Sequence, residues 1–269
     1  IGLFMLNLFS SPPPLAPDYK LMLFFGSPRT GSTLLGQILN QHPDILVANE
    51  YRFLQKVVRE QRDIKSELQK LRSIAWTHYR TGLKKDSYFS DKLSKFQSQW
   101  IEFKGARKKN SIRILGDKKA GGNTGIYLEQ PTRTENFIKE HKPFLLQIVR
   151  HPIEAAKSSA KAFDLEFKHA LKDQILRTTE AYRLLQDHPD LRYIIYYDDL
   201  IRTPREELEK LAGFLGIPAD QDWLSVVVQS VNDSTTKAKA YDPDQIALTK
   251  QMIDRYQAQD IFGRYPELA

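Results

Sequence analysis

At 269 residues and 41% hydrophobic content, the chain can bury a full core and sits near the upper size of one domain, which points to a single large domain with a variable insertion. A formal net charge of +7 suggests an anionic ligand or partner, although a basic balance often serves only solubility. With no cysteine, disulfides, thiolate metal sites and cysteine nucleophiles are excluded, and a reducing compartment, the cytoplasm, is expected. The charge is uneven: residues 51–120 hold 19 Lys/Arg against 7 Asp/Glu, an excess of +12, so the remainder of the chain sums to −5.

The apolar run Ile1–Phe9 is far shorter than the roughly 20 residues that span a bilayer. It is either a local hydrophobic patch or the remnant of a longer segment. Ser10–Pro17 reads as an extended polyproline-type linker, so residues 1–20 are taken as an N-terminal segment and 21–269 as the domain. Leu21–Phe25 then forms a continuous apolar run bounded by Gly-Ser-Pro, the pattern of a strand buried on both faces, and a helix follows over Thr33–Gln41.

Between strand and helix lies Gly26-Ser27-Pro28-Arg29-Thr30-Gly31-Ser32-Thr33, one residue short of a nucleotide-triphosphate P-loop. Gly26, Gly31 and Thr33 match, and Ser32 stands where that pattern has lysine. A glycine turn opening a helix aims backbone N–H groups at one point, which suits a phosphate. The missing lysine argues against ATP or GTP, and Arg29 supplies a positive charge inside the loop instead.

Further along, Val47-Ala48-Asn49-Glu50-Tyr51 places Glu50 at the next strand end. Residues 52–110 are highly charged and helical in pattern, with Trp76, Tyr79, Tyr88, Phe89, Phe96, Trp100 and Phe103 interspersed, either around an acceptor cleft or as solvated helices with buried aromatics. Ile112–Leu115 is an apolar segment leading into Gly116-Asp117-Lys118. Pro143–Arg150 is a second buried strand ending in a charge, and Pro152 opens a helix to about Phe163. Tyr193–Asp199 reads as a third strand, with Pro204 opening the helix Arg205–Leu215 and Gly216 closing it. Strands alternating with helices predict an α/β fold: a parallel β-sheet with helices on both faces, a three-layer sandwich of the P-loop NTPase kind. Arg150, with Ser158 eight residues on, offers a second phosphate clamp. Such a pair alone carries no information; beside a lysine-free P-loop it becomes specific.

At these residues the chain resembles the sulfotransferases that use 3′-phosphoadenosine-5′-phosphosulfate (PAPS). Ser27–Leu35 continuing into His42-Pro43-Asp44-Ile45 is similar to their 5′-phosphosulfate loop, and Ile148-Val149-Arg150-His151-Pro152 with Ser158 to their 3′-phosphate site. Gly116-Asp117-Lys118, Tyr196–Leu200 leading to Phe214–Pro218, and Tyr256 to Phe262–Tyr265 also match, whereas 52–110 does not. The resemblance implies that Arg29, Thr30, Gly31, Ser32 and Thr33 hold the 5′-phosphosulfate, that Arg150 and Ser158 hold the 3′-phosphate, and that no metal is required. It implies Glu50 as general base, His78 as the competing base, Lys118 and Arg29 as cations at the transferring and leaving groups, and Tyr197 either beside the adenine or in the core.

Two departures stand out. His151 lies where many relatives have an acidic residue before the proline, which leaves the arginine clamp intact. Lys118-Lys119-Ala120 lacks the proline that often follows the lysine, which puts the aim of Lys118 in question. The implied activity is transfer of a sulfuryl group from PAPS to a hydroxyl of a carbohydrate, lipid or small-molecule alcohol, with an acceptor that is anionic or carrier-bound and no nucleic-acid partner. The competing readings are a P-loop kinase or NTPase, with Tyr193–Tyr197 before Asp198 as its acidic strand end, and a non-catalytic module for anionic glycans or nucleic acid.

Overall fold

A computed structural model describes residues 11–81, 109–232 and 240–269. Five parallel strands, β1 Leu15–Phe25, β2 Ile45–Asn49, β3 Ile112–Lys118, β4 Phe144–Val149 and β5 Arg192–Tyr196, form one sheet in the order β2-β3-β1-β4-β5. Leu23 sits opposite Asp117 on one side and Leu145 on the other, so β1 is the middle of the sheet. From β1 the chain passes outward to β2, returns through β3, and then crosses to β4. The winding direction therefore reverses at β1, which opens a crevice at the carboxyl ends of the strands.

The helices are α1 Ser32–Asn40, α2 Ile64–Thr81, α3 Ala120–Glu129, α4 Pro131–His141, α5 Pro152–Phe163, α6 Phe167–Gln186, α7 Tyr197–Arg202, α8 Pro204–Leu215, α9 Gln221–Asn232, α10 Pro243–Tyr256 and α11 Gln259–Phe262. Strand periodicity divides them between two faces. Met22 and Phe24 pack with Leu35, Ile38 and Leu39 of α1 and with Trp223 of α9. Leu21, Leu23 and Phe25 pack on the opposite face with Leu71 of α2, Ile138 of α4 and Leu184 of α6. Both faces are covered, and this is why Leu21–Phe25 is apolar without alternation. A third cluster seats the C-terminal α10 and α11 against α5 and α6 through Ile253, Phe262, Ala156 and Leu171. No helix of the described residues is long and apolar enough to cross a membrane.

Two boundaries differ from the sequence reading. β1 starts at Leu15, inside the stretch read as linker, and pairs Leu15 with Ile112 before a bulge. β5 stops at Tyr196: Tyr197, Asp198 and Asp199 open α7, where two carboxylates suit the positive end of a helix. Within residues 52–110 the described part holds a short π-helix, Gln55–Arg59, and then α2, with Trp76 stacked on Tyr79. Tyr88, Phe89, Phe96, Trp100 and Phe103 lie outside the described residues. At the far border of that segment, Lys109 is buried and donates to the carbonyls of Asn40, His42 and Ile45 at 2.5–2.6 Å, closing the C-terminal end of α1. One charge of the basic region is thus structural.

Candidate active site

The turn after β1 is shaped by two glycines. Gly26 has φ 121° and Gly31 φ 102°, values that side chains disfavour. A β-carbon on Gly31 would lie 2.5 Å from Cδ2 of the Tyr197 ring, so the turn can pass Tyr197 only as glycine. Gly31 caps α1 without a side-chain hydrogen bond, and no acidic residue occupies the first turn. The first-turn N–H groups and the positive helix end therefore have the polarity that suits an anion.

Buried polar side chains hold this turn from behind. Gln174 of α6 accepts from the Ser27 hydroxyl and donates to the Pro28 carbonyl at 2.8 Å and to Ser159 Oγ at 2.6 Å. Thr124 of α3 accepts the Gly26 N–H at 2.8 Å, and Asn123 donates to the Phe24 carbonyl at 2.9 Å. A loop pinned by fully satisfied partners presents its donors in one geometry, before any ligand arrives.

Arg29 and Arg150 lie across the crevice from one another. Arg29 Nε donates to Ser158 Oγ at 3.1 Å, and Arg150 Nη1 to the carbonyl of Arg29 at 3.4 Å. The Arg150 guanidinium sits 4.7 Å from the Tyr197 ring centroid and 3.6 Å from Glu154. Loop and second clamp are therefore adjacent, with Tyr197 between Gly31 and Arg150. Ser158 meets Arg29 and not Arg150, so Arg29 links the two halves. Burial and the neighbouring Arg150 charge both lower the Arg29 pKa.

On the other side of the turn, Lys118 Nζ donates to Thr33 Oγ1 at 3.0 Å and to Glu50 Oε1 at 3.2 Å, while Lys119 Nζ lies 2.7 Å from Glu50 Oε2. Lys118 therefore points at the loop without a following proline. Burial pushes the Glu50 carboxyl up, but the two ammonium groups outweigh it and its pKa is lowered. Burial lowers that of Lys118, against the pull of Glu50. His78 stands behind this strand end: the Asn49 N–H donates to its Nδ1 at 3.0 Å. All eleven candidate positions thus reach the carboxyl edge of the sheet. The family model for the sulfotransferase family matches residues 23–222, which takes in the loop, the Glu50 end and both arginines.

The chain belongs to the sulfotransferase family. Among solved structures it is similar to the mouse sulfotransferase SULT7A1 complexed with PAP, at 14% identity and TM-score 0.54, over 93% of this chain and 88% of that one. Sulfotransferase STF9 from Mycobacterium avium matches at 12% identity and TM-score 0.51, over 91% and 77%. These likenesses concern the fold. No curated protein matches the sequence.

In this sulfotransferase the middle residue of Gly116-Asp117-Lys118 has a part in the site that the motif alone does not announce. Asp117, fully buried, accepts the N–H groups of Tyr51 at 3.0 Å and Phe53 at 2.7 Å, and so folds the backbone around Glu50. Glu50 and Arg52 on either side of Tyr51 have φ of 62° and 66°, which the carboxylate makes tolerable. Burial raises the Asp117 pKa to about 6 despite those two bonds. The other two motif histidines are structural. His42 accepts the Asp44 N–H on Nδ1 and faces the Pro218 carbonyl at 2.9 Å, and His151 stacks on Tyr241 at 4.3 Å.

Proposed function

We propose that this sulfotransferase takes PAPS as its donor and passes the sulfuryl group to a hydroxyl, with Glu50 as general base. One observation carries the reading: the glycine turn and Arg150 are within a hydrogen bond of each other through the Arg29 carbonyl, so one nucleotide with anions on both sides of its ribose spans them. The backbone N–H groups of Thr30–Thr33 bind the 5′-phosphosulfate, and Arg150 with Ser158 the 3′-phosphate. In this reading Tyr197, between Gly31 and Arg150, packs against the adenine. The donor supplies the sulfuryl group and leaves as adenosine 3′,5′-bisphosphate. Glu50 accepts the acceptor's proton, while Lys118 and Arg29 offset charge on the transferring and leaving oxygens. His78 suits the base role less: Nδ1 already accepts from Asn49, so in the neutral ring Nε2 carries the proton and no lone pair faces the acceptor. The acceptor class we favour is an alcohol carrying negative charge or delivered on a carrier, in line with the basic excess of residues 51–120.

The kinase reading needs Thr33 Oγ1 to meet a magnesium ion. That oxygen accepts from the Lys118 ammonium, which opposes a cation at the same spot. The test is incubation with radiolabelled PAPS and a mixed pool of hydroxyl compounds, with the product identified by mass. Glu50→Gln should lose turnover while keeping its affinity for adenosine 3′,5′-bisphosphate. Tighter binding of ADP with magnesium than of that bisphosphate would instead favour the kinase.

A further inference from the structure

The second lysine of Lys118-Lys119-Ala120, where relatives often continue toward proline, has a specific place in the structure. Its side chain is 24% exposed, against 4% for Lys118, and its Nζ holds the Glu50 oxygen that Lys118 leaves open. Its stem lies across Gly122 in the first turn of α3: a β-carbon there would come within 2.6 Å of Lys119 Cγ and 3.0 Å of Cε. The missing side chain at Gly122 therefore gives the lysine its path. An ammonium merely dissolved at the surface needs no such groove.

We propose that Lys119 is a positioning residue for Glu50, holding the carboxylate's second oxygen so that the first stays on Lys118 and the pair stays aimed at the loop. The proposal rests on Glu50 being the base. Lys118 from β3 and Lys119 from the start of α3 face the Glu50 carboxylate directly. The charges of Arg29 in the loop and Asp117 in β3 act on it from nearby, and His78 of α2 stands behind it through Asn49. With Lys119 removed, Oε2 loses the ammonium it meets at 2.7 Å, and the carboxylate gains both rotational freedom and basicity.

The titration of Glu50 tests this without any acceptor. In protein with 13C-labelled glutamate carboxyls, the Glu50 signal is assigned by its loss in Glu50→Gln and followed against pH. We expect Lys119→Met to move its midpoint upward and Lys119→Arg to return it most of the way. Gly122→Ala, which leaves the lysine in place but obstructs its stem, should move the midpoint in the same direction as Lys119→Met. Affinity for adenosine 3′,5′-bisphosphate should not change in any of them, and once an acceptor is identified, kcat should fall about tenfold in Lys119→Met with the donor KM unmoved. A midpoint that stays put in both Lys119→Met and Gly122→Ala overturns the proposal. A fully active Glu50→Gln alongside the expected midpoint shift would instead remove the base assignment and leave the pairing with Lys119 standing.

Discussion

Asp117 Oδ2 accepts the backbone N–H of Phe53 at 2.7 Å, so a carboxylate buried in the sheet grips the chain three residues past the proposed base. Its partner oxygen takes the Tyr51 N–H, and the residues preceding each donor, Glu50 and Arg52, are the ones in left-handed backbone. The strain at Glu50 is thus held by a group that is itself fully buried.

Asp117→Asn should therefore destabilise the protein at neutral pH. An amide has one accepting oxygen for two N–H donors, and its NH2 would face the other donor. The expected loss is about 1–3 kcal/mol, read from urea unfolding. The pH dependence has a definite sign. Because burial raises the Asp117 pKa to about 6, the folded state holds a proton there that the unfolded chain has released. That contribution is complete below the ordinary aspartate range near 4 and is lost as pH rises through about 6. The stability difference between wild type and Asp117→Asn should shrink across that window, and a difference that grew there would contradict the assignment.

Removing the second clamp should act on the donor and leave the fold intact. Arg150 is partly buried, with its guanidinium over Tyr197 and against the Arg29 carbonyl. Arg150→Ala should weaken adenosine 3′,5′-bisphosphate by about 10- to 100-fold, the size of a charge-assisted hydrogen bond to phosphate, measured by calorimetry. Arg150→Lys should recover only part of this, since lysine lacks the planar fork. Unchanged affinity in Arg150→Ala would separate the two clamps and end the single-nucleotide reading.

What the sequence made legible was mostly local. The run Leu21–Phe25, the glycines at 26 and 31, and Pro152 and Pro204 at helix starts carry their structural meaning within a few residues, and all stand where the pattern placed them. Tyr197 was misplaced in a strand because its apolar neighbours outweighed Asp198 and Asp199, the acidic pair that marks the first turn of α7. Gln174 and Thr124 were invisible as site residues, and Asp117 was visible only as part of a motif, for a different reason. Their partners are 147, 98 and 64 residues away in the chain, so the function of each exists only after folding. Lys109 misled in the opposite direction: its charge counted toward a basic surface, yet it is consumed by three carbonyls in the interior.

Gln174 allows the loop's preorganisation to be measured apart from its charge. Gln174→Leu keeps the volume but leaves the Pro28 carbonyl and Ser159 Oγ without the donor they share, and reduces Ser27 to its contact with Thr178 at 3.0 Å. The expected result is a stability loss of about 2–4 kcal/mol together with weaker bisphosphate binding, although residue 174 touches no anion. If affinity held while stability fell, the loop's geometry would owe nothing to this network.

The sharpest steric test is at Gly31. Alanine there would have to adopt φ near 102° and would place its methyl 2.5 Å from a Tyr197 ring carbon, so either the turn or the ring must move. Gly31→Ala should lower thermal stability and abolish bisphosphate binding. Adding Tyr197→Ala clears the ring and should restore part of the stability, because the clash goes while the unfavourable φ remains. Binding should stay weak in the double variant, since Arg150 then loses the ring beneath its guanidinium. Recovery of full affinity would show that Tyr197 only fills space beside the loop and that the donor does not depend on it.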